Sequence, residues 1–311
     1  MVSVSMIAYN QEHLIAEAIE SVINQTYTDW ELIVGDDCST DNTYEVARRY
    51  QQRFPEKIIL FRNAVNVGIT VNSNEVLRRC RGKYIAFTGG DDVFLPEKLS
   101  KQVALMEKNP DCVLSYHDVE VFQHDSGEII HYIYKGKCAL KPVVGSANEV
   151  SKALVRQGTS FMAAMSVMVR RDAVPKNGYD FRVPVASDWL FWIEVCAGSP
   201  NGYVLFLQEV HVRYRKHKDS ITLKKHLYFS DNNVTLAIVE AQYPELRNAW
   251  RQGKGYCYYS MGVAEIMKGN YTQGREDLLA GARISVYSWK WLGWWLYSWF
   301  RQLRAYINLA I

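Results

Sequence analysis

The order of apolar and polar stretches predicts an α/β fold: a mostly parallel sheet flanked by helices, with an α-helical C-terminal extension. Three observations predict it. Apolar, strand-like runs alternate with segments of helical period through the first 90 or so residues. The runs are bounded by polar loops, at Tyr9-Asn10, Asp36-Asp37, Asn66 to Gly68 and Asp91-Asp92, which parallel order gathers on one sheet edge. From about Leu223 the pattern changes to helix after helix.

Val2 to Ala8 is apolar and opens the sheet. Leu14, Ile15, Ala18, Ile19, Val22 and Ile23 recur at helical spacing. Trp30 to Gly35 is the second strand, followed by the polar loop Asp36 to Thr43 and a helix from Tyr44 to Arg53. Lys57 to Phe61 is the third strand, Asn66-Val67-Gly68 a turn, and Val71 to Cys80 a helix. Tyr84 to Phe87 is the fourth strand, broken by Thr88-Gly89-Gly90. Strand, helix, strand in this order needs a parallel sheet with crossovers. A helix from Leu99 to Lys108 and a strand from Cys112 to Tyr116 follow. A hairpin is expected around Asp125-Ser126-Gly127. Phe161 to Val169 reads as a further strand beside the first half of the sheet, and Ser187 to Val195 as a helix. Val204 to Phe206 and Val210 to Tyr214 read as short strands, and Arg215 to Thr222 as a basic loop. Residues 1–222 therefore form one domain and 223–311 a helical extension. Within the extension, Gly262 to Ala282 reads as a tetratricopeptide-type helix pair or an ordinary αα-hairpin, turning at Gly269-Asn270-Tyr271.

Composition bounds the function. The chain has 311 residues, 48% hydrophobic and 22% charged, with a formal net charge of +3, so no global charge argues for nucleic acid. Six cysteines are scattered without a C-x-x-C pair, which argues against a zinc site or a disulfide framework and for a reduced, cytoplasmic setting. The N-terminus reads as a strand, not a signal peptide. No apolar stretch reaches the ~20 residues of a spanning helix.

The chemistry centres on Asp91 and Asp92, adjacent carboxylates after a buried strand. Hard oxygen ligands there suit Mg²⁺ or Mn²⁺ against a diphosphate; an acidic turn capping the next helix is the plainer alternative. Asp188 stands at a helix start, as a cap or as an acid–base group.

Taken in order, Val4 to Asn10, Ser21 to Tyr27, Trp30 to Thr43, Asn66 to Gly68, Gly82 to Asp92, Ser187 to Trp192 and Tyr214 to Thr222 resemble family 2 glycosyltransferases of the GT-A fold over roughly the first two-thirds of the chain. The resemblance implies an inverting, metal-dependent transfer of a sugar from a nucleotide-sugar, favouring a UDP-sugar. The acceptor would be a hydroxyl of a saccharide or lipid-linked saccharide in polysaccharide or glycoconjugate assembly. It implies Asp92 as the most direct ligand of Mn²⁺ or Mg²⁺, with Gly90-Asp91-Asp92 in place of a strict Asp-x-Asp. His217 would be a further metal or diphosphate contact, and Asp188 the general base. The nucleotide-sugar would lie on Ala8, Tyr9, Asn10, Glu12, Asp37, Asn66, Gly68 and Asp91, with Tyr9 stacking on the base and Asp37 accepting from uracil N3–H. Trp189 and Trp192 would face the acceptor or pack in the core, and cations between Arg213 and Lys218 would meet the diphosphate.

The tail crowds Trp289, Trp291, Trp294, Trp295 and Trp299 with Arg283, Lys290, Arg301 and Arg304, and no acid follows Asp277. Tryptophan with basic residues suits a membrane interface, so a helix on the cytoplasmic face of the inner membrane is expected; docking on its own domain or a second copy is the alternative. Two rival functions were weighed. A nucleotidyltransferase needs a glycine-rich first loop, and Ala8 to Glu12 has no glycine. A non-catalytic nucleotide-sugar-binding or scaffold protein has no use for Asp92 and Asp188 together. Processive polymer synthesis lacks its Gln-x-x-Arg-Trp signature.

Overall fold

The computed structural model describes residues 1–136, 139–158, 161–218, 220–221, 225–285 and 289–309; for 225–229, 289–290 and 303–309 it describes the backbone only. The chain divides into two compact units, Met1–Leu154 with Thr159–Asp231, and Val155–Gly158 with Asn232–Ile311. The expected boundary after residue 222 falls on residues outside those described.

In the first unit β1 (Val2–Ala8), β2 (Trp30–Asp36), β3 (Ile58–Arg62) and β4 (Tyr84–Gly89) pair in parallel in the order β3-β2-β1-β4. Every residue of β2 is buried, as are all but Ile7 in β1, because helices cover both faces of a parallel sheet. The crossovers are α1 (Ile15–Ile23), α2 (Thr43–Arg53) and α3 (Ile69–Leu77). Ile15, Ala18, Ile19 and Val22 put the buried stripe of α1 against the sheet.

Beyond β4 the sheet turns mixed. After β5 (Val93–Phe94) and α4 (Lys98–Lys108) come β6 (Cys112–Gln123) and β7 (Ile129–Tyr132), joined in the expected hairpin with Gly127 at φ +70°. β8 (Gly145–Ser146), α5 (Ala147–Gln157), β9 (Met168–Arg170), α6 (Ser187–Ala197) and β10 (Tyr203–Lys216) complete the unit. The second half of the order is β4-β9-β6-β10-β5, with β9 antiparallel to both neighbours and β10 parallel to β6.

Three elements differ from expectation. The run Phe161 to Val169 lies beside the first half of the sheet but is strand only from Met168; Ala164–Ser166 forms a 3-10 turn in which Ser166 bonds back to Ala163. Its apolar residues are buried without strand pairing, as Phe161 and Met162 show. The two short strands of 204–206 and 210–214 are one strand, β10, that absorbs register shifts beside Leu207 and Val210. Arg215 and Lys216, expected in a loop, end that strand.

The second unit holds α8 (Arg247–Lys268), α9 (Tyr271–Ile284) and α10 (Trp289–Leu309); α7 (Lys225–Gln242) has residues in both units. α8 and α9 form the expected helix pair, with Gly269 left-handed at φ +93° in the turn. They cross closely through Gly262 and Gly274, where a Cβ on either would lie 2.7 Å from the other's carbonyl oxygen. Ile266, Leu278 and Trp291 form a small core, with Trp294 and Trp295 packed against it. One face of the tail helix thus docks on its own unit. The opposite face leaves Leu292, Leu296, Trp299 and Phe300 exposed.

Candidate active site

Parallel order brings the carboxyl ends of β1, β2 and β4 to one edge, where open α/β sheets bind ligands. The loop after β1 is laced to the loop after β2. Asn10, left-handed at φ +52°, accepts from the Thr40 amide at 2.8 Å and donates its own amide to Ser39 Oγ at 3.0 Å. The Gln11 and Glu12 amides donate to Thr43 Oγ1 at 2.6 Å and Asp41 at 3.1 Å. Glu12 in turn accepts from the Asn42 amide and side chain at 3.0 and 2.7 Å. Burial pushes Asp41 up, and bonds from Thr43 and Glu12 more than offset it, leaving its carboxyl below the usual range. Asn10 and Glu12 therefore shape this edge by holding the 39–43 loop. Tyr9 is left 45% exposed.

Asp37 is buried, and its carboxylate organises the next loop. Its oxygens accept from Val67 N, Gly68 N and Asn63 Nδ2, each at 2.9 Å, while Asn66 Nδ2 reaches the Asp37 carbonyl at 3.2 Å. The Asp37 amide donates to Ala8 O at 2.9 Å, so the β1 and β2 ends are tied together. Gly68 has φ +86° and ψ 167°, a conformation closed to other residues, and it turns the chain into α3. Asp36 is also buried; it accepts from the Ser39 amide and faces Arg62, with one oxygen unpartnered.

Asp91 and Asp92 follow β4. Asp91 Oδ2 stands 3.1 Å from His217 Nε2, which brings an expected nucleotide-sugar contact and an expected metal contact together across 126 positions of sequence. Asp92 is 3% exposed and accepts from the Arg215 amide at 3.1 Å. Burial and the Asp91 carboxylate push Asp92 well above the usual carboxylate range, against the pull of Arg215 and Lys216. Two adjacent carboxylates, one of them buried, are what a divalent cation relieves; the carboxylates suit Mg²⁺ or Mn²⁺, and an imidazole beside them favours Mn²⁺ of the two. Among the described residues no three His, Cys, Asp or Glu side chains close into a complete cage. A cation here has to complete its coordination with water and phosphate, as Mg²⁺ commonly does.

Behind this pair lies a residue that the sequence offered only as a loop cation. Arg215 is 4% exposed. Its guanidinium donates to the Asp91 carbonyl at 2.8 Å, meets His124 Nδ1 at 3.0 Å and pairs with Glu17 of α1. Arg213 pairs with Glu120 at 2.6 Å. Neither arginine is free for a diphosphate; Lys216 donates to Tyr214 Oη at 3.1 Å, and the Asp92 and Asp91 charges favour its protonated form against burial. Long separations and the strand setting hid Arg215; its place two residues before the expected ligand His217 was the available signal.

Asp188 is the second residue of α6. Burial pushes its carboxyl up to about 6, although the amides of Trp189 and of Asp188 itself pull it down. Ser187 Oγ lies 2.8 Å from Thr70 Oγ1, so the start of α6 meets the start of α3, two residues past Gly68. Of the two places open to Trp189 and Trp192, the acceptor side or the core, both indoles take the core. Trp189 Nε1 donates to Leu154 O at 2.8 Å, and fully buried Trp192 packs edge-on to Phe87 at 5.1 Å. Tyr179, stacked on Phe191 at 4.1 Å, is the aromatic whose ionisation the Asp188 charge affects.

Known proteins resemble this chain in sequence and in fold. The model of the family described as glycosyl transferase family 2 matches residues 3–173. A Methanocaldococcus jannaschii protein, uncharacterized glycosyltransferase MJ1057, is 30% identical over 261 residues, covering 83% of this chain and 82% of that one. A Bacillus subtilis protein named as glycosyltransferase EpsE is 44% identical over 108 residues, 35% of this chain, and the match spans only 39% of its length. The Escherichia coli UDP-Glc:alpha-D-GlcNAc-diphosphoundecaprenol beta-1,3-glucosyltransferase WfgD is 36% identical over 126 residues, 40% of this chain and 48% of that one. Among solved structures, Staphylococcus aureus TarS 1-349 in complex with UDP-GlcNAc superposes with a TM-score of 0.64 at 15% identity, covering 91% of this chain and 81% of that one. The mannosyltransferase PcManGT from Pyrobaculum calidifontis, in complex with GDP-Man and Mn2+, gives 0.57 at 16% identity over 99% of this chain and 86% of that one. These two likenesses are of fold, the GT-A fold. A family model matched over more than half of the chain, and a relative matched over most of both lengths, make this protein a member of glycosyl transferase family 2 and a glycosyltransferase.

Proposed function

We propose that this enzyme is an inverting, divalent-cation-dependent transferase. It would move a hexosyl or N-acetylhexosaminyl group from a UDP-sugar to a hydroxyl of a saccharide or lipid-linked saccharide in polysaccharide or glycoconjugate assembly. The observation that carries this reading is the state of Asp188. A carboxylate near a helix N-terminus is normally held acidic by the helix dipole. Burial instead raises Asp188 to about 6. A helix cap gains from staying ionised. A general base gains from a pKa near the operating pH, where it is ionised yet basic enough to take a proton.

In this reading Asp188 takes the acceptor hydroxyl's proton as that oxygen attacks the anomeric carbon, opposite the departing diphosphate. Asp92, Asp91 and His217 would hold Mn²⁺ or Mg²⁺, which when bound neutralises charge developing on the leaving UDP. Lys216 adds positive charge on the same side. Tyr9 stacks on the base. Asp37 holds the 66–68 loop through the Val67 and Gly68 amides, takes a third bond from Asn63 Nδ2, and keeps a lone pair for uracil N3–H. Ala8, Asn10, Glu12, Asn66 and Gly68 frame the nucleoside. The names of WfgD and the TarS complex, with UDP-Glc and UDP-GlcNAc, favour uridine donors.

Residues 1–222 would carry catalysis and residues 223–311 would form the helical extension, whose α10 meets the cytoplasmic face of the membrane. No described helix is long and apolar enough to cross a membrane. The exposed stripe Leu292, Leu296, Trp299 and Phe300, with Arg301 alongside, suits an interfacial helix near a lipid-linked acceptor. Deleting α10 would uncover Ile266 and Leu278, so the test keeps the helix: Leu296→Ser with Phe300→Ser abolishes flotation with phosphatidylglycerol vesicles. Flotation equal to wild type would remove the membrane from this account.

The activity is tested by incubating the full chain with UDP-, GDP- and dTDP-hexoses in Mn²⁺ or EDTA and measuring released nucleotide, with water as acceptor. Release from a UDP-sugar, abolished by EDTA and by Asp92→Ala, is expected. Release from only a GDP- or dTDP-sugar, or release indifferent to EDTA, would overturn the donor or the metal assignment respectively.

A further inference from the structure

The start of α6 has no cap of its own: no side chain caps it from the N-cap position, Ala186. Two side chains from distant elements hold it instead. One oxygen of Asp231, on α7 and 3% exposed, accepts from the amides of both Val185 and Ala186 at 2.7 Å. Thr70, the second residue of α3 and 2% exposed, donates its hydroxyl to Val183 O at 2.6 Å and lies 2.8 Å from Ser187 Oγ. The five residues 183–187 are thus gripped from two sides, and Asp188 is the next residue.

We propose that Asp231 is a positioning residue for Asp188: by fixing the backbone that enters α6, its carboxylate sets where the Asp188 carboxyl points. This rests on the reading of Asp188 as the base. Two amides need only an acceptor, and a backbone carbonyl or an amide side chain supplies one without burying a charge. A charged acceptor makes shorter, stronger bonds, and both of these are at the short end of the N–H···O range. Such stiffness has no purpose in an ordinary loop. It has one where a base must stay aligned with a hydroxyl, because small misplacements cost large factors in rate. The second clamp connects the same backbone to the donor side. Thr70 follows Gly68, whose amide is held by Asp37. Asp231 and Asp188 both lie beyond residue 173, where the family match ends, while Thr70 lies within it.

The test compares Asp231→Ala, Asp231→Asn and Asp188→Asn in the full chain, reading UDP release from the UDP-hexose that turns over, with Mn²⁺ and water as acceptor. Asp231→Ala should lower kcat at least thirtyfold. The donor KM and the affinity for UDP with Mn²⁺ should stay within twofold. The acid limb of kcat should move below about 6, because Asp188 loses the burial that raises it. Among the described residues, Tyr179 is a titratable group whose ionisation the Asp188 charge affects. It ionises far above this range, so the limb reports Asp188. Asp231→Asn keeps an acceptor in place and should restore kcat to within fivefold of wild type. A purely structural role predicts a lower Tm and fewer binding sites for UDP, with an unmoved acid limb; that result would overturn the proposal. If Asp231→Ala does not fold, Asp231→Ser, too short to reach both amides, takes its place with the same expected losses. Asp188→Asn separates the two levels. If Asp188→Asn is inactive while Asp231→Ala keeps wild-type kcat and acid limb, only the positioning role falls. If Asp188→Asn itself keeps its rate, the base assignment falls and the positioning role with it.

Discussion

Replacing Arg215 by methionine keeps an unbranched stem beside Phe122 and removes the guanidinium. Three groups then lose their donor: the Asp91 carbonyl, His124 Nδ1 and the Glu17 carboxylate. A polar group left unpaired in a buried site costs ~1–3 kcal/mol. The Asp91 carbonyl is taken at ~1 kcal/mol, since Asp91 is partly buried; His124 is exposed, water can replace its donor, and less than ~1 kcal/mol is assigned to it. Glu17 is 53% exposed, so solvent screens its pair and less than ~1 kcal/mol is assigned to it. The sum is ~2 kcal/mol. For a unit of this size that corresponds to a fall in Tm of ~4–8 °C. Calorimetry of the full chain reads it; the transition belonging to the first unit is the one that UDP with Mn²⁺ raises. Arg215→Lys should not rescue, because one ammonium cannot reach partners on α1, on the β6–β7 turn and after β4. A fall under ~2 °C, or full recovery by lysine, would show that charge alone matters here and that the fork does not clamp the site.

Other outcomes follow from the same geometry. Asp188 works ionised, so the rate of UDP release should rise with pH through about 6 and then level; a rate that falls over that range would contradict its role as base. Asp92 is raised by burial, so protons compete with the cation, and the Mn²⁺ concentration needed for half-maximal rate should increase as pH falls. Asp37→Asn removes an acceptor from the Val67 and Gly68 amides and should weaken UDP binding at least tenfold by calorimetry; unchanged affinity would separate the 66–68 loop from the nucleoside site. Gly68→Ala forces a left-handed φ of +86° on a residue with a Cβ and should cost ~1–3 kcal/mol with a parallel loss of UDP affinity.

The first four strands and the acidic edge were legible because a parallel sheet covered on both faces needs unbroken apolar runs, and each run ends in a polar loop. The second half was harder for specific reasons. β5 is two residues long and exists only through its pairing with β10. β6 continues through His117 and Asp118, buried polar residues that read as a strand end. β10 runs through Gln208 and Glu209 by shifting register, which no periodicity reveals. Phe161 to Val169 is apolar because it is buried, and burial alone does not make a strand. In the site, Asp91, Asp92, His217, Asp37 and Asp188 stood out through local pattern and family resemblance. Thr70, Asp231, Glu17 and His124 carry no local signal: each matters through one hydrogen-bond partner or a few, distant in sequence.

In the proposed mechanism Asp188 activates the attacking oxygen on the face opposite the diphosphate. The anomeric form of the sugar released from an α-linked UDP-hexose tests this, followed by proton NMR with Mn²⁺ before mutarotation equilibrates the product. The expected first product is β-hexose, with none from Asp188→Asn. Initial α-hexose, or β-hexose formed at the wild-type rate without the Asp188 carboxylate, would contradict it.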